Sequence, residues 1–194
     1  MLTREQIIAF GFAEVGEDVQ ISEWARFYGA SRIRIGNHVR IDDFCILSAG
    51  EGGIVIGNHV HIAPFCSLIG QGRIELSDFA GLSSRVAIYS SSDDYSGMSL
   101  TNPTVPPELR NVQHAPVFLG RHVIVGSGTV ILPGVTLEEG VAVGALSLIQ
   151  KNCSAFGVYF GAPARRVSDR SRKLRELEEK VGSYRREPAE GKAS

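Results

Sequence analysis

His114 stands near the end of a stretch, 89–116, that is rich in Ser, Asp and Pro and has no hydrophobic period: YSSSDDYSGMSLTNPTVPPELRNVQHAP. An imidazole titrates close to working pH, which suits a proton acceptor. Set just before an apolar pattern resumes at residue 117, it can project from a fixed point toward a neighbouring surface. Asp93 and Asp94 lie in the same stretch, and a carboxylate can orient an imidazole and stabilise its cation. Either His114 or Asp93 can be the base. Arg85, shortly upstream, carries the fork that pairs with a phosphate or with a carboxylate such as Asp93. The chemistry suggested is proton removal from a nucleophile beside an anionic group. A loop this long inside a compact domain is uncommon and usually functional. Pro103, Pro106 and Pro107 stiffen it and lower the entropy lost on ordering.

A repeat must position these side chains. Over 119–149, LGRHVIVGSGTVILPGVTLEEGVAVGALSLI, aliphatic residues fall every sixth position: Leu119, Val125, Ile131, Leu137, Val143 and Ile149. Small or β-branched residues follow four positions after the first five, at Val123, Thr129, Val135, Val141 and Ser147. A period of six is neither the helical period of about 3.6 nor the alternation of a long strand. It reads as short strand, turn, short strand. Three such strands per coil make a triangular solenoid with the large aliphatic side chains along its axis. The same phase runs through Val15, Ile21 and Phe27, then Ile35, Ile41 and Leu47, then Ile56, Ile62 and Leu68, then Leu76, Leu82 and Ile88. The starts of these coils are 20, 21 and 20 residues apart, three hexads plus a short insertion. The phrase Ile35-Gly36-Asn37-His38-Val39 returns as Ile56-Gly57-Asn58-His59-Val60. About six coils are expected, interrupted once by the loop 89–116.

This pattern resembles the hexapeptide-repeat acyltransferases, whose fold is the left-handed parallel β-helix. The resemblance covers roughly residues 15–167. Ile131-Leu132-Pro133-Gly134-Val135 is similar to that family's signature coil, and Gly161-Ala162-Pro163-Ala164-Arg165 to its closing segment. Within the family the chain most resembles the bacterial sugar O-acetyltransferases and the nucleotide-amino-sugar N-acetyltransferases. The resemblance implies an all-β solenoid, a homotrimer with sites between subunits, and acetyl-CoA as co-substrate. The long loop is implied to reach over a neighbouring subunit. It also implies donor contacts at Ser127, Ala145, Lys151 and Arg165. Gly126 and Gly144 precede the first two and permit close backbone approach, while Lys151 and Arg165 suit the phosphates of CoA.

The chain departs from its relatives on the acceptor side. Sugar O-acetyltransferases carry their catalytic histidine in a Thr-His-Pro-like stretch, and Ser92-Asp93-Asp94 stands there instead. Positions that hold an acceptor sugar through Asn and Asp are Phe65 and Gly70 here, and another Asn is Arg85. On the donor side, Gln150 replaces a Thr before the lysine, and Ser168 a second arginine. A neutral amine needs less help from a base than a hydroxyl does, because its proton can leave after attack. These substitutions favour a nucleotide-linked amino sugar as acceptor, in bacterial surface polysaccharide biosynthesis. His114 is the expected base, with Asp93 as its orienter or an acceptor contact. Arg85 and Asp94 are expected to hold substrate.

Composition sets outer bounds. The 194 residues carry a net charge of −1, so no global field draws in nucleic acid. Twenty-two glycines and eight prolines suit a turn-rich solenoid. Cys45 and Cys66 are one coil apart, both at small inward positions, and read as stacked core thiols. An odd count of three cysteines without a secretory signal fits a reducing cytoplasm. No apolar run reaches membrane-spanning length. His38, His59 and His122 fall at equivalent corners. Three histidines invite comparison with the γ-type carbonic anhydrases, which share the fold and bind zinc through three histidines. A ladder along one corner points its side chains in parallel rather than at one centre, and no metal is expected. A metal-dependent hydratase and a non-catalytic scaffold subunit remain the alternatives, separated by zinc content and by CoA binding.

The ends complete the organisation. Thr3 and Gln6 form a capping box for a short helix over 3–10 that plugs the first coil. Residues 1–14 make this N-terminal cap and 15–165 the β-helix with its loop. Residues 166–194 are a C-terminal helix over 168–184 and a frayed tail at 185–194. Leu174, Leu177 and Val181 give that helix a narrow apolar stripe, with Arg175–Glu179 and Glu176–Lys180 as pairs along it. Phe156, Tyr159 and Phe160 are expected to cover the last coil.

Overall fold

A computed structural model describes residues 1–184; the tail expected at 185–194 lies outside them. Short strands, mostly of two to four residues, wind into a parallel solenoid of six complete coils and part of a seventh. Its three flanks are two sheets of six strands and one of eight. The hexad residues pair in register along each flank. Val15, Ile35, Ile56, Leu76, Leu119 and Leu137 form one column. Ile21, Ile41, Ile62, Leu82, Val125 and Val143 form the second. Phe27, Leu47, Leu68, Ile88, Ile131 and Ile149 form the third. Val15 and Phe27, in the first coil, are partly buried, and every other residue of the three columns is buried. Burial of about 1.5–3 kcal/mol per large aliphatic side chain makes this axis the main source of stability.

The recurring Ile-Gly-Asn-His-Val phrase builds one corner. A β-carbon at Gly36 would come within 2.7 Å of the Gly57 carbonyl oxygen, so only glycine lets adjacent coils stack there. The Asn58 Oδ1 accepts from Asn37 N at 2.8 Å, and the Asp78 Oδ1 accepts from Asn58 N at 2.7 Å. Beside this polar ladder the rings of His38, His59, Phe79 and His122 stack, with centroids 4.7–5.0 Å apart. All four sit in the left-handed backbone region, at φ between 57° and 60°. Bulky residues rarely adopt that conformation; here the continuous stack of rings offsets its cost.

The expected N-terminal helix forms at Arg4–Ala9, with Thr3 and Gln6 closing the capping box. Its Ile7 is 1% exposed and plugs the open end of the first coil. At the other end the hexad phase runs further than its sequence suggests. Cys153 bridges to Leu137, and Tyr159, six residues on, pairs with Val143. Phe156 and Tyr159 are buried, while Phe160 is half-exposed. The chain then turns back as an antiparallel strand, Ala164–Asp169, so the C-terminal helix begins later, at Leu174–Tyr184. That helix docks mainly through charge. Glu178 pairs with Arg121 and with His122, and Arg175 grips Glu139 at 2.6–2.7 Å instead of pairing along its own helix. Leu177 stays 51% exposed. Among the described residues no helix is long and apolar enough to cross a membrane.

Candidate active site

The long loop leaves the solenoid at the corner after Tyr89 and returns at Val117. Its two ends are tied by an antiparallel ladder, Ser91–Ser92 with Gln113–His114, in which Ser91 faces His114. The Ser91 Oγ lies 2.8 Å from His114 Nδ1 and also accepts from Gln71 N at 2.8 Å. A Nδ1–H donated to Ser91 leaves Nε2 as the open acceptor of an exposed ring. This ladder is what fixes His114, and it puts Asp93 beyond its end, in the loop. Asp94 turns inward on the loop itself and accepts from Ser96 N at 2.8 Å. Hydrogen bonds from the Ser96 side chain and backbone hold its carboxyl below the usual range.

Under the loop lies a cavity of about 760 Å³, lined among others by Tyr28, Arg32, Gln71, Ser91, Arg110 and His114. Arg32 is fixed by its donors to the Ala49 and Gly50 carbonyls, at 2.8–3.1 Å. The Nε of Arg110 is buried without a hydrogen-bond partner among the described residues. Burying a polar group in this way costs free energy that an anionic ligand would recover. Neither arginine falls at a repeat or motif position, so nothing in the pattern of residues marked them out.

The residues assigned to the donor gather at a different corner. Gly126 and Ser127 stack directly on Gly144, Ala145 and Leu146 of the next coil: a β-carbon at Gly126 would come within 2.5 Å of Ala145 N, and Leu146 N donates to Ser127 O at 2.8 Å. Two buried hydroxyls lock this strip, because Thr129 Oγ1 and Ser147 Oγ both donate to the Gly144 carbonyl, at 3.1 and 2.8 Å. Phe160 covers Gly144 and pairs with Arg165 on the returning strand, which places that exposed arginine at the strip's end. Lys151 is exposed as well, but it follows Ile149 and so sits at the loop corner, one flank away. The small residues signalled this strip in the sequence; its hydroxyl lock and aromatic lid did not stand out.

Arg85 occupies the donor corner, two coils before Ala145. Its guanidinium lies 5.3 Å over the Phe65 ring, extending an exposed stack of Trp24, Phe44 and Phe65. Within one protomer Arg85 and the donor strip are therefore separated from His114, Asp93 and Asp94 by a flank. About five strand residues at about 3.3 Å each make that flank roughly 16 Å wide. The histidines at the remaining corner stack in one column with Phe79 among them. His38 binds Asp18 at 2.8 Å, and His122 binds Glu178 at 2.6 Å.

No family model matches the chain. It is 54% identical over 173 residues to the dTDP-4-amino-4,6-dideoxy-D-glucose acyltransferase of Escherichia coli, covering 89% of this chain and 90% of that one. AntD, an N-acyltransferase from Bacillus cereus solved with dTDP and 3-hydroxybutyryl-CoA, matches with a TM-score of 0.89 and 41% identity, over 96% of this chain and 98% of AntD. A serine-to-cysteine variant of AntD, solved with dTDP-4-amino-4,6-dideoxyglucose and coenzyme A, gives 0.90 and 42%, over 94% and 97%.

Proposed function

The chain belongs to the dTDP-4-amino-4,6-dideoxy-D-glucose acyltransferases, acyl-CoA-dependent enzymes on a left-handed parallel β-helix, and we propose that it acetylates the sugar amine of a dTDP-linked amino-deoxyhexose. The reading further takes acetyl-CoA as donor, a homotrimer as the working assembly, and the cytoplasm as its place, in building a surface polysaccharide. The observation that carries it is the separation of two half-sites. A backbone-lined strip for a thioester occupies one corner, and a basic cavity beside an open imidazole occupies another. Neither half suffices alone, and in a trimer the loop corner of one protomer meets the donor corner of the next.

In this reading the pantetheine arm lies along Gly126, Ser127, Gly144 and Ala145, with Arg165 of the same protomer toward the CoA phosphates and Lys151 reaching them from the loop corner of the adjoining protomer. Arg110, Arg85 and Asp94 hold the nucleotide sugar. His114, fixed by Ser91, takes a proton through Nε2 from the nitrogen as it attacks the thioester carbonyl. Asp93 stabilises the resulting cation or contacts the acceptor. The nitrogen–carbon bond forms, the carbon–sulfur bond breaks, and the products are an amide and CoA. Positioning supplies much of the rate, because both substrates are held before reaction.

The test is release of CoA thiol by the purified protein from acetyl-CoA. Release is expected with dTDP-4-amino-4,6-dideoxyglucose and not with the matching sugar bearing a hydroxyl at that carbon. Release confined to the hydroxyl sugar, or absent with both, rejects the reading.

A further inference from the structure

His61 stands on the flank beside the donor strip. Its Nε2 lies 2.7 Å from Asp42 Oδ2, and Arg40 Nε donates to the other oxygen, Oδ1, at 2.7 Å. The Asp42 side chain is 10% exposed, whereas that of His61 is 53% exposed. A buried carboxylate therefore fixes a ring whose other nitrogen, Nδ1, is free of Asp42. The neighbour of His61 along the sheet is Gly81, where an added β-carbon would meet nothing within 4 Å. The ring thus faces open space. That space is a pocket of about 290 Å³, lined by His61, Ala63, Ser83, Ser84, Ile124 and Ser127. Ser127 belongs to the donor strip, so the imidazole and the proposed thioester site share one pocket. The charged groups facing His61 are Asp42 and Arg40 from the preceding coil; Gly81 and Ile124, on the following coils, bring none.

We propose that His61, held by Asp42, is a second acid–base group that protonates the CoA sulfur as it leaves. The proposal rests on the reading that acyl-CoA lies along Ser127. Aminolysis of a thioester handles two protons: one leaves nitrogen, and one is needed by sulfur. His114 faces the acceptor and takes the first. When the carbon–sulfur bond breaks, its electron pair goes to sulfur, which takes a proton from Nδ1–H of the His61 imidazolium. The ring is left neutral, with Nε2–H still donated to Asp42. Solvent returns a proton to His61 and removes one from His114, so atoms and charge balance over a turnover. A neutral thiol then departs in place of a thiolate.

Two measurements on the full chain test this. The first needs no turnover. With labelled imidazoles, CoA is expected to shift the His61 nuclear magnetic resonances, and desulfo-CoA, which lacks the thiol, to leave them near their free positions. The second is kinetic. His61→Gln keeps a donor toward Asp42 but cannot shuttle a proton, so kcat is expected to fall about 100-fold. Its CoA dissociation constant and acceptor KM should stay within about twofold of wild type. Added imidazole should restore part of the rate lost in His61→Ala. CoA binding that leaves His61 unshifted overturns the proposal. A His61→Gln protein within about threefold of wild-type kcat also overturns it, as does a loss confined to CoA affinity. Shifted His61 resonances in a protein that acylates no amino sugar would count against the functional reading and not against this placement.

Discussion

Phe160 lies across Gly144 so closely that a β-carbon on Gly144 would come within 1.8 Å of the ring. The pair closes the donor strip from the C-terminal end. Gly144→Ala must therefore move Phe160, which is half-exposed and free to swing outward. We expect the fold to persist and the KM for acetyl-CoA to rise about tenfold, or about 1.4 kcal/mol. Calorimetric titration with CoA, beside circular dichroism of both proteins, checks this.

His114 is the expected base on the acceptor side. His114→Asn should lower kcat by about 100-fold or more while leaving CoA affinity unchanged. Ser91→Ala removes the partner of Nδ1 but not the base, and a smaller loss is expected. Steady-state kinetics with calorimetric CoA titration separate the two effects.

Ile88 points into the axis at 0% exposed, between Leu68 and Ile131, while Ile124 points outward at 45%. Ile88→Ala should destabilise the protein by about 2–5 kcal/mol. Ile124→Ala should cost well under that. Denaturant unfolding at one fixed protein concentration measures both.

Asp42 provides a pH test. Burial works to raise its pKa, but hydrogen bonds from His61 and Arg40 outweigh it and hold the carboxyl below the ordinary value of 3.8. An acid with a depressed folded pKa favours folding while ionised. Its contribution is complete above 3.8 and is lost as pH falls through the lower, folded value. Asp42→Asn should therefore melt below wild type at neutral pH, with the gap closing in acid. Melting temperatures from neutral down to about pH 2 follow that closure.

The solenoid was legible because its core is a strict period. Every hexad residue from Val15 to Ile149 pairs as its phase requires. The phase was harder to follow past Ile149, where Cys153 and Tyr159 continue it with a thiol and an aromatic ring instead of aliphatics. The C-terminal helix start was blurred for a different reason. The strand Ala164–Asp169 is mostly exposed and polar, so it carries no inward period. At the sites, residue type told more than partnership did. His114 stands where the loop meets the solenoid, yet its tie to Ser91 depends on a ladder joining residues 23 apart. His61 was equally hidden, because its partner Asp42 lies in another coil.

If each reaction site is shared, with the loop corner of one protomer serving the donor corner of the next, two inactive variants should rescue each other. His114→Asn spoils the first half-site, and Ser127→Trp, at an exposed position, blocks the second. Each protein alone should be nearly inactive. Unfolded together in equal amounts and refolded, they should recover about a quarter of wild-type activity, the share of interfaces that pair two intact halves. A mixture that forms hybrid oligomers yet stays as inactive as its components would show that the site is not shared between protomers.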